Sequence, residues 1–171
     1  SANGCIDNTI AYLSYLKTAI PNLNIVWNDQ PIGFAAACNQ GIKQAKTDKI
    51  VLLNNDTVLL DQHKNKWLER LDVGDISAVL TDYSEITKQR FGIFFCVMIR
   101  KTLFDKIGLL DEIFAPGGGE DIDFTVRANL AGYKSVVVSP VTYSAEAGTN
   151  VGSVPIWHKD NRTFRDIPEY S

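Results

Sequence analysis

Lys49-Ile-Val-Leu-Leu-Asn-Asn-Asp56-Thr57 is an apolar run that ends in a single acid. Its apolar stretch, up to Leu53, does not alternate, the pattern of a strand buried on both faces of a parallel sheet. Open α/β sheets gather their ligands at the C-terminal edges of such strands, where Asp56 would stand. The residues before it supply a partner. Leu23-Asn-Ile-Val-Trp27 alternates as a short strand, and Phe34 to Lys46 is an amphipathic helix with Phe34, Cys38, Ile42 and Ala45 on one stripe. Strand, helix, strand predicts a right-handed parallel crossover and an α/β fold.

Upstream, Asp7 is placed to cap a helix in which Ile10, Leu13, Leu16 and Ile20 recur until Pro21 stops it. Ser1-Ala2-Asn3-Gly4 reads as a strand end running into a turn, so a strand is expected before it. Downstream, His63 to Leu71 predicts a helix with Trp67, Leu68 and Leu71 inward, and Ile76 to Leu80 a strand. Thr81 to Arg90 is polar and irregular, Phe91 to Arg100 a long apolar strand, and Lys101 to Ile107 a short helix closed by Gly108. Gly117-Gly118-Gly119 predicts a mobile loop. Glu120 to Ala131 is a helix with Ile122, Val126 and Leu130 four apart, and Tyr133 to Val138 a buried strand. The tail from Ser139, with Trp157, His158 and Phe164, shows no clear period.

Composition narrows the function classes. The 171 residues are 45% hydrophobic and 22% charged, enough for one domain with a core. A net charge of −3 and scattered lysines and arginines leave no footprint for duplex nucleic acid. No apolar run approaches the ~18 residues of a membrane span. Cys5, Cys38 and Cys96 lie far apart without metal-ligand spacing, which points to reduced thiols in a cytosolic setting. The Asn-x-Thr sequons at Asn55 and Asn161 are read as chance.

Two carboxylate clusters carry the chemistry. Asp56, between a strand and a loop, could hold a divalent cation bridging two phosphates, with Mg²⁺ or Mn²⁺ suited to its hard oxygen ligands. Asn55-Asp56-Thr57 taken alone is equally a polar turn. Glu120-Asp121-Ile-Asp123 is harder to explain blandly. A helix N-terminus accounts for one acid and an Asp123–Arg127 pair for a second, which leaves one over. Adjacent acids behind a glycine loop can raise each other's pKa, as a general base near neutrality needs. His63 is read as a solvated helix position, and Trp67 and Trp157 as core or rim packing.

Three blocks in fixed order then give a resemblance: Gly33-Phe34-Ala-Ala-Ala-Cys-Asn39-Gln-Gly41-Ile, Leu52-Leu53-Asn54-Asn55-Asp56-Thr57, and Ile107-Gly108-Leu-Leu-Asp111-Glu112 continuing to Glu120-Asp121-Ile-Asp123-x-x-x-Arg127-x-x-x-x-Gly132-Tyr133. Over roughly residues 3 to 138 the chain resembles family-2 glycosyltransferases, in their rhamnosyltransferase-like branch. The resemblance implies a GT-A fold, a Rossmann-like three-layer α/β sandwich with a mostly parallel central sheet whose N-terminal strand is missing from the chain. It implies one catalytic domain over 1–171: a nucleotide-sugar half (1–80), an acceptor and catalytic half (81–138), and a tail (139–171).

The implied activity is an inverting, hexosyltransferase-type transfer of a sugar from a nucleotide diphosphate donor, a UDP- or dTDP-sugar, to a glycan, lipid-linked or other hydroxyl acceptor, as in polysaccharide biosynthesis. Asp56 would bind the Mn²⁺ or Mg²⁺ on the donor diphosphate. Asp121 would be the base, with Glu120 beside it. Asn3, Gly33, Asn39, Asn54 and Asn55 would contact the donor, and Asp123 and Arg127 would support the helix that presents Asp121. The implied location is cytoplasmic, extending to the inner face of the membrane.

Departures from the family pattern are Ala2, where a strand commonly ends in an aspartate that holds the base, Pro31 in place of a frequent asparagine, and a short span from Leu71 to Phe91. Tyr143 falls near the place of a metal-binding histidine, which leaves His158 as the candidate third ligand. The alternative is a degenerate sugar-nucleotide-binding or interaction module without turnover. A nucleotidyltransferase would want a basic, glycine-rich phosphate loop that the chain lacks.

Overall fold

The computed structural model describes residues 1–59, 66–138, 142–144, 149–151, 154 and 156–158. His63, Asn161, Phe164 and the side chains of Tyr143 and Trp157 lie outside the described set. In chain order the elements are β1 (Ala2–Asn3), α1 (Thr9–Ala19), β2 (Trp27–Asn28), α2 (Phe34–Gln44), β3 (Lys49–Leu53), β4 (Thr57–Leu59), α3 (Lys66–Leu71), β5 (Ile76–Ala78), β6 (Thr81–Ser84), β7 (Gln89–Gly92), β8 (Cys96–Arg100), α4 (Lys101–Ile107), α5 (Glu120–Leu130), β9 (Ser135–Val137), β10 (Thr142–Ser144), β11 (Thr149–Val151) and β12 (Ile156–His158). A 3-10 turn, Glu112–Phe114, precedes α5. They divide into two compact units, residues 1–50 with 100–131, and residues 51–99 with 132–171.

In the first unit β1 and β2 pair in parallel, Ala2 opposite Trp27 and Asn3 opposite Asn28. The predicted strand over Leu23–Trp27 thus shortens to two residues. Helix α1 forms where expected, and the Asp7 carboxylate accepts the Thr9 N–H at 3.0 Å. None of its residues is buried, however, and Ile10 and Ile20 are exposed, so the apolar repeat does not mark a core face here. Helix α2 starts at Gly33, whose φ of 86° is cheap only for glycine. A Cβ there would also come within 3.1 Å of the Ala115 Cβ. Ala35, Asn39 and Ile42 form its buried stripe, with Phe34 and Cys38 at the margin.

Helix α4 spans its predicted residues and ends at Gly108. Its Leu103 and Phe104 are buried, and Phe104 meets Phe124 of α5 with ring centroids 5.1 Å apart. Burying a phenylalanine fully is worth about 1.5–3 kcal/mol. The core face of α5 is Phe124, Thr125 and Ala128; Leu130, expected on an inward stripe, is 81% exposed. The large aromatic at 124 chooses the face, and the four-apart aliphatics end up beside it.

The second unit holds most of the four-stranded sheet β3–β8–β5–β9. β5 pairs antiparallel with β8 (Ile76 opposite Ile99) and parallel with β9 (Ile76 opposite Ser135). Hydrogen bonds from Asn54 N–H to the Phe95 carbonyl and from Lys101 N–H to that of Asp48, both 2.8 Å, run β3 and β8 in opposite directions. The sheet is therefore mixed, where a mostly parallel one was expected. Between β5 and β8 the chain makes a hairpin, β6–β7, and a hairpin returns it antiparallel; a parallel return needs a long crossover. That hairpin occupies the stretch expected to be irregular, because its strand Thr81-Asp82-Tyr83-Ser84 is too polar to show a buried face. A separate turn at Phe94-Phe95 splits the long strand predicted over Phe91–Arg100 into β7 and β8.

Nor does the expected crossover from β2 to β3 form within one sheet: β2 pairs with β1 and β3 with β8. β3 has its predicted bounds but is not buried on both faces. Ile50 and Leu52 are buried, whereas Leu53 is 42% exposed. β9 is likewise only partly covered, with Val137 exposed. The core of this unit gathers Trp67, Leu71, Val79, Phe95, Cys96, Met98, Val154 and Ile156, so the inward faces expected of Trp67 and Leu71 are found. All three cysteines are free.

Candidate functional site

In the second unit the chain leaves β3 through a closed turn. Asn54 N–H extends the ladder to Phe95, and the Thr57 hydroxyl donates back to the Asn54 carbonyl at 2.6 Å. Asn54, Asn55 and Asp56 therefore sit together at a strand's C-terminal edge. Thr57 opens β4, which pairs antiparallel with β12 so that His158 lies opposite Thr57. That register brings His158 Nε2 to 3.2 Å from Asp56 Oδ1. The pair is an ion pair only if the imidazole is protonated, and its alignment is not that of a hydrogen bond. Both atoms are buried, and neither has a hydrogen-bond partner.

Two buried polar atoms without hydrogen bonds are costly, about 1–3 kcal/mol each. A carboxylate oxygen and an imidazole nitrogen facing each other are, however, a pair of donors for a divalent cation, and the cation would satisfy both. Among the described residues no group of three or more His, Cys, Asp or Glu gathers to hold a metal. Two protein ligands would leave coordination positions for phosphate oxygens and water, the arrangement usual for Mg²⁺ on nucleotides.

In the first unit the acids are held from several sides. Glu120 is 6% exposed, and its Oε2 accepts the Gly118 N–H at 2.6 Å. This bond folds the glycine loop back onto α5. Gly119, at φ 110°, leaves no room for a Cβ, which would stand 2.7 Å from Phe114 Cδ1. The Cys38 thiol is pushed up to about 12, by burial first and by the charge of Glu120 second. Asp121 is half-buried in the first turn of α5, where the helix dipole favours negative charge, and its Oδ1 accepts the Ile122 N–H at 2.8 Å.

Asp123 and Arg127 form the expected pair, with Nε and Nη2 on Asp123 Oδ2 at 2.8 and 2.6 Å. Arg127 does more than expected. Its Nη1 donates to the Ile107 carbonyl at 2.6 Å and its Nη2 to that of Leu109 at 2.9 Å, which ties α5 to the turn after α4.

Asn39 is buried, and both ends of its amide are engaged: Nδ2 donates to the Leu110 carbonyl (2.9 Å) and to Glu112 Oε1 (2.8 Å), while Oδ1 accepts the Leu110 N–H (3.1 Å). Asn3 closes the β1 turn by accepting the Ile32 N–H at 2.9 Å. Beside it an open cavity of about 330 Å³ is lined by Ala2, Cys5, Ile10, Trp27, Asn28 and Asp29. It lies at the ends of two parallel strands, and its size is at the lower limit for small-ligand sites.

Within their own units, then, Asn54, Asn55, Asp56 and His158 come together, and Glu120, Asp121, Asp123 and Arg127 share α5, while Asn39 is bound to Leu110 and Glu112 instead. Sequence reasoning missed Phe95, whose ring stacks on His158 at 4.4 Å between centroids and 26° between planes. Inside an apolar run nothing distinguished it. It also missed Glu112 as the partner of Asn39, although Asp111-Glu112 was visible as a motif. No helix among the described residues is long and apolar enough to cross a membrane.

No curated protein matches the chain. A family model does: Glycosyl transferase family 2 matches residues 3–93, more than half of the 171, and that stretch carries Asn3, Gly33, Asn39 and the Asn54–Thr57 turn. With this match over the strand-edge turn that bears Asp56, the chain belongs to glycosyl transferase family 2.

Proposed function

We propose that this chain is an inverting glycosyltransferase of the rhamnosyltransferase-like branch, with a GT-A fold and a single catalytic domain. It moves a sugar from a nucleotide diphosphate donor, a UDP- or dTDP-sugar, to a hydroxyl of a glycan or lipid-linked acceptor in polysaccharide biosynthesis. The observation that carries this reading is the pairing of Asp56 Oδ1 with His158 Nε2 at 3.2 Å, both buried and without hydrogen bonds, in a turn that the family match covers.

Asp56 and His158 are the residues that would hold Mn²⁺ or Mg²⁺. The cation, when bound, neutralises charge on the leaving diphosphate. The cavity lined by Trp27, Asn28 and Asp29 suits the planar base of the donor, with Asp29 supplying a carboxylate where Ala2 has none. Gly33, Asn54 and Asn55 complete the donor side, and Asn3 shapes its loop. Asn39, whose amide is fully engaged, supports the site by holding Leu110 and Glu112.

Asp121 takes the proton of the acceptor hydroxyl. The oxygen then attacks the anomeric carbon from the face opposite the departing diphosphate, and the configuration inverts. Glu120 holds the glycine loop against the start of α5, and Asp123 with Arg127 fixes the helix that carries Asp121.

A thermal-shift screen of UDP- and dTDP-sugars, each with and without Mn²⁺, tests the reading when followed by an assay for released nucleotide diphosphate. Stabilisation by one donor that needs the metal, together with release on adding an acceptor, supports it. Stabilisation without release under any acceptor would favour a binding module without turnover.

A further inference from the structure

Phe95 touches both sides of the candidate metal pair. Its carbonyl accepts the Asn54 N–H at 2.8 Å, the bond that starts the turn bearing Asp56. Its ring stacks on His158 at 4.4 Å. Phe95 is itself 5% exposed and locked in the core cluster with Trp67, Met98 and Ile156. Ile156 and His158, two residues apart on β12, share a strand face, so the packing that buries Ile156 also lays the imidazole on the Phe95 ring.

From this geometry we infer that Phe95 is a positioning residue: through its carbonyl and its ring it sets the gap between Asp56 Oδ1 and His158 Nε2 at a width that one divalent cation can bridge. The inference rests on the metal role proposed above for that pair. An imidazole free to rotate about its side-chain bonds would lose that freedom on every metal encounter. A stacked one is already oriented, and groups that orient metal ligands typically affect affinity by about 10- to 100-fold.

The chain has only two histidines, so ring ¹H–¹³C spectra separate His158 from His63 once a His63→Gln variant assigns them. A stacked His158 gives signals upfield of a solvated imidazole, with NOEs to the Phe95 ring. In Phe95→Leu these signals move to the solvated position, and Mn²⁺ affinity by calorimetry falls about 10-fold or more. Phe95→Tyr keeps the ring and retains both properties. Val79→Ala, which loses volume in the same cluster, lowers the melting temperature and changes neither. If Phe95→Leu does not fold, Phe95→Met takes its place, and the wild-type NOEs decide the stack in any case.

Absent NOEs, or wild-type Mn²⁺ affinity in the ring-less variant, overturn the inference. A wild-type chain that shows the NOEs but takes up no Mn²⁺ brings down the metal reading instead, and with it the role of Phe95.

Discussion

Asn39 and Leu110 hold each other by two hydrogen bonds. The side-chain amide of Asn39 accepts the Leu110 N–H at 3.1 Å and donates to the Leu110 carbonyl at 2.9 Å. A buried amide thus satisfies a loop's main chain as a neighbouring strand would, across 71 residues of sequence. The remaining proton of Nδ2 goes to Glu112. Replacing Asn39 with leucine keeps the volume but orphans the N–H and the carbonyl of buried Leu110, while the exposed Glu112 carboxylate turns to water. Each unsatisfied buried group is worth about 1–3 kcal/mol, so a loss of about 2 kcal/mol or more in urea unfolding is expected. Asn39→Asp keeps the acceptor yet faces a second carboxylate at Glu112, so its deficit should shrink as pH falls from 7 to 5. A pH-independent deficit would refute the contact.

Arg127 should not tolerate lysine. Its fork reaches Asp123, Ile107 and Leu109 at once, which a single ammonium on a flexible stem cannot do. Arg127→Lys is expected to lose about 1–3 kcal/mol of stability, mostly from carbonyls left without a donor. Asp123→Asn should lose less, because the two carbonyl bonds survive it. Equal losses in the two variants would mean that the ion pair, not the carbonyls, carries the effect.

Alkaline pH should weaken the fold through two thiols. Burial pushes Cys38 and Cys96 up to about 12 from an ordinary value of 9.0, and the charge of Glu120 adds to the shift at Cys38. The folded state therefore keeps protons that the unfolded state releases. This contribution is fully present below about pH 9 and is lost as pH climbs through 9 towards 12, at no more than about 1.4 kcal/mol per pH unit for each thiol. Melting temperatures across that window should fall less steeply in Cys38→Ala. For the same reason both thiols should react slowly with alkylating reagents at pH 8. Fast labelling of Cys96 in the native protein would contradict its burial.

Much of the local structure was legible because its signals are local. Pro21 stops α1, Gly33 opens α2, Gly108 closes α4, and each acts within one turn of backbone. The sheet was less legible. Whether β8 runs with or against β3 depends on a hairpin, β6–β7, whose polar strands carry no buried face to announce them. Burial within helices was set by single large side chains, so Phe124 overrode the aliphatic repeat of α5. For the site, Asp56 and His158 were each visible as residue types, but their meeting depends on a register that places His158 opposite Thr57, and no short-range pattern encodes that. Phe95 was illegible because an aromatic residue in an apolar run is ordinary until a polar ring is found lying on it.

The two candidate acids should fail differently, and the contrast tests their separate roles. Asp121→Asn keeps shape and the Ile122 N–H contact while removing the base, so turnover should fall by about 10²–10⁴-fold, the usual contribution of a positioned general base, with donor affinity unchanged. Asp56→Ala removes a metal ligand, so donor binding should lose its dependence on Mn²⁺ and weaken in calorimetry, with turnover falling as a consequence. His158→Ala should resemble Asp56→Ala, because the two donors face one another at 3.2 Å. Asp56→Ala also removes one of the two buried atoms that lack hydrogen bonds, so without metal it should not be less stable than wild type by more than about 1 kcal/mol, whereas His158→Ala loses its stack on Phe95 as well and should cost more. If Asp121→Asn abolished metal-dependent donor binding, or Asp56→Ala left it intact, the division of labour between the two carboxylates would be wrong.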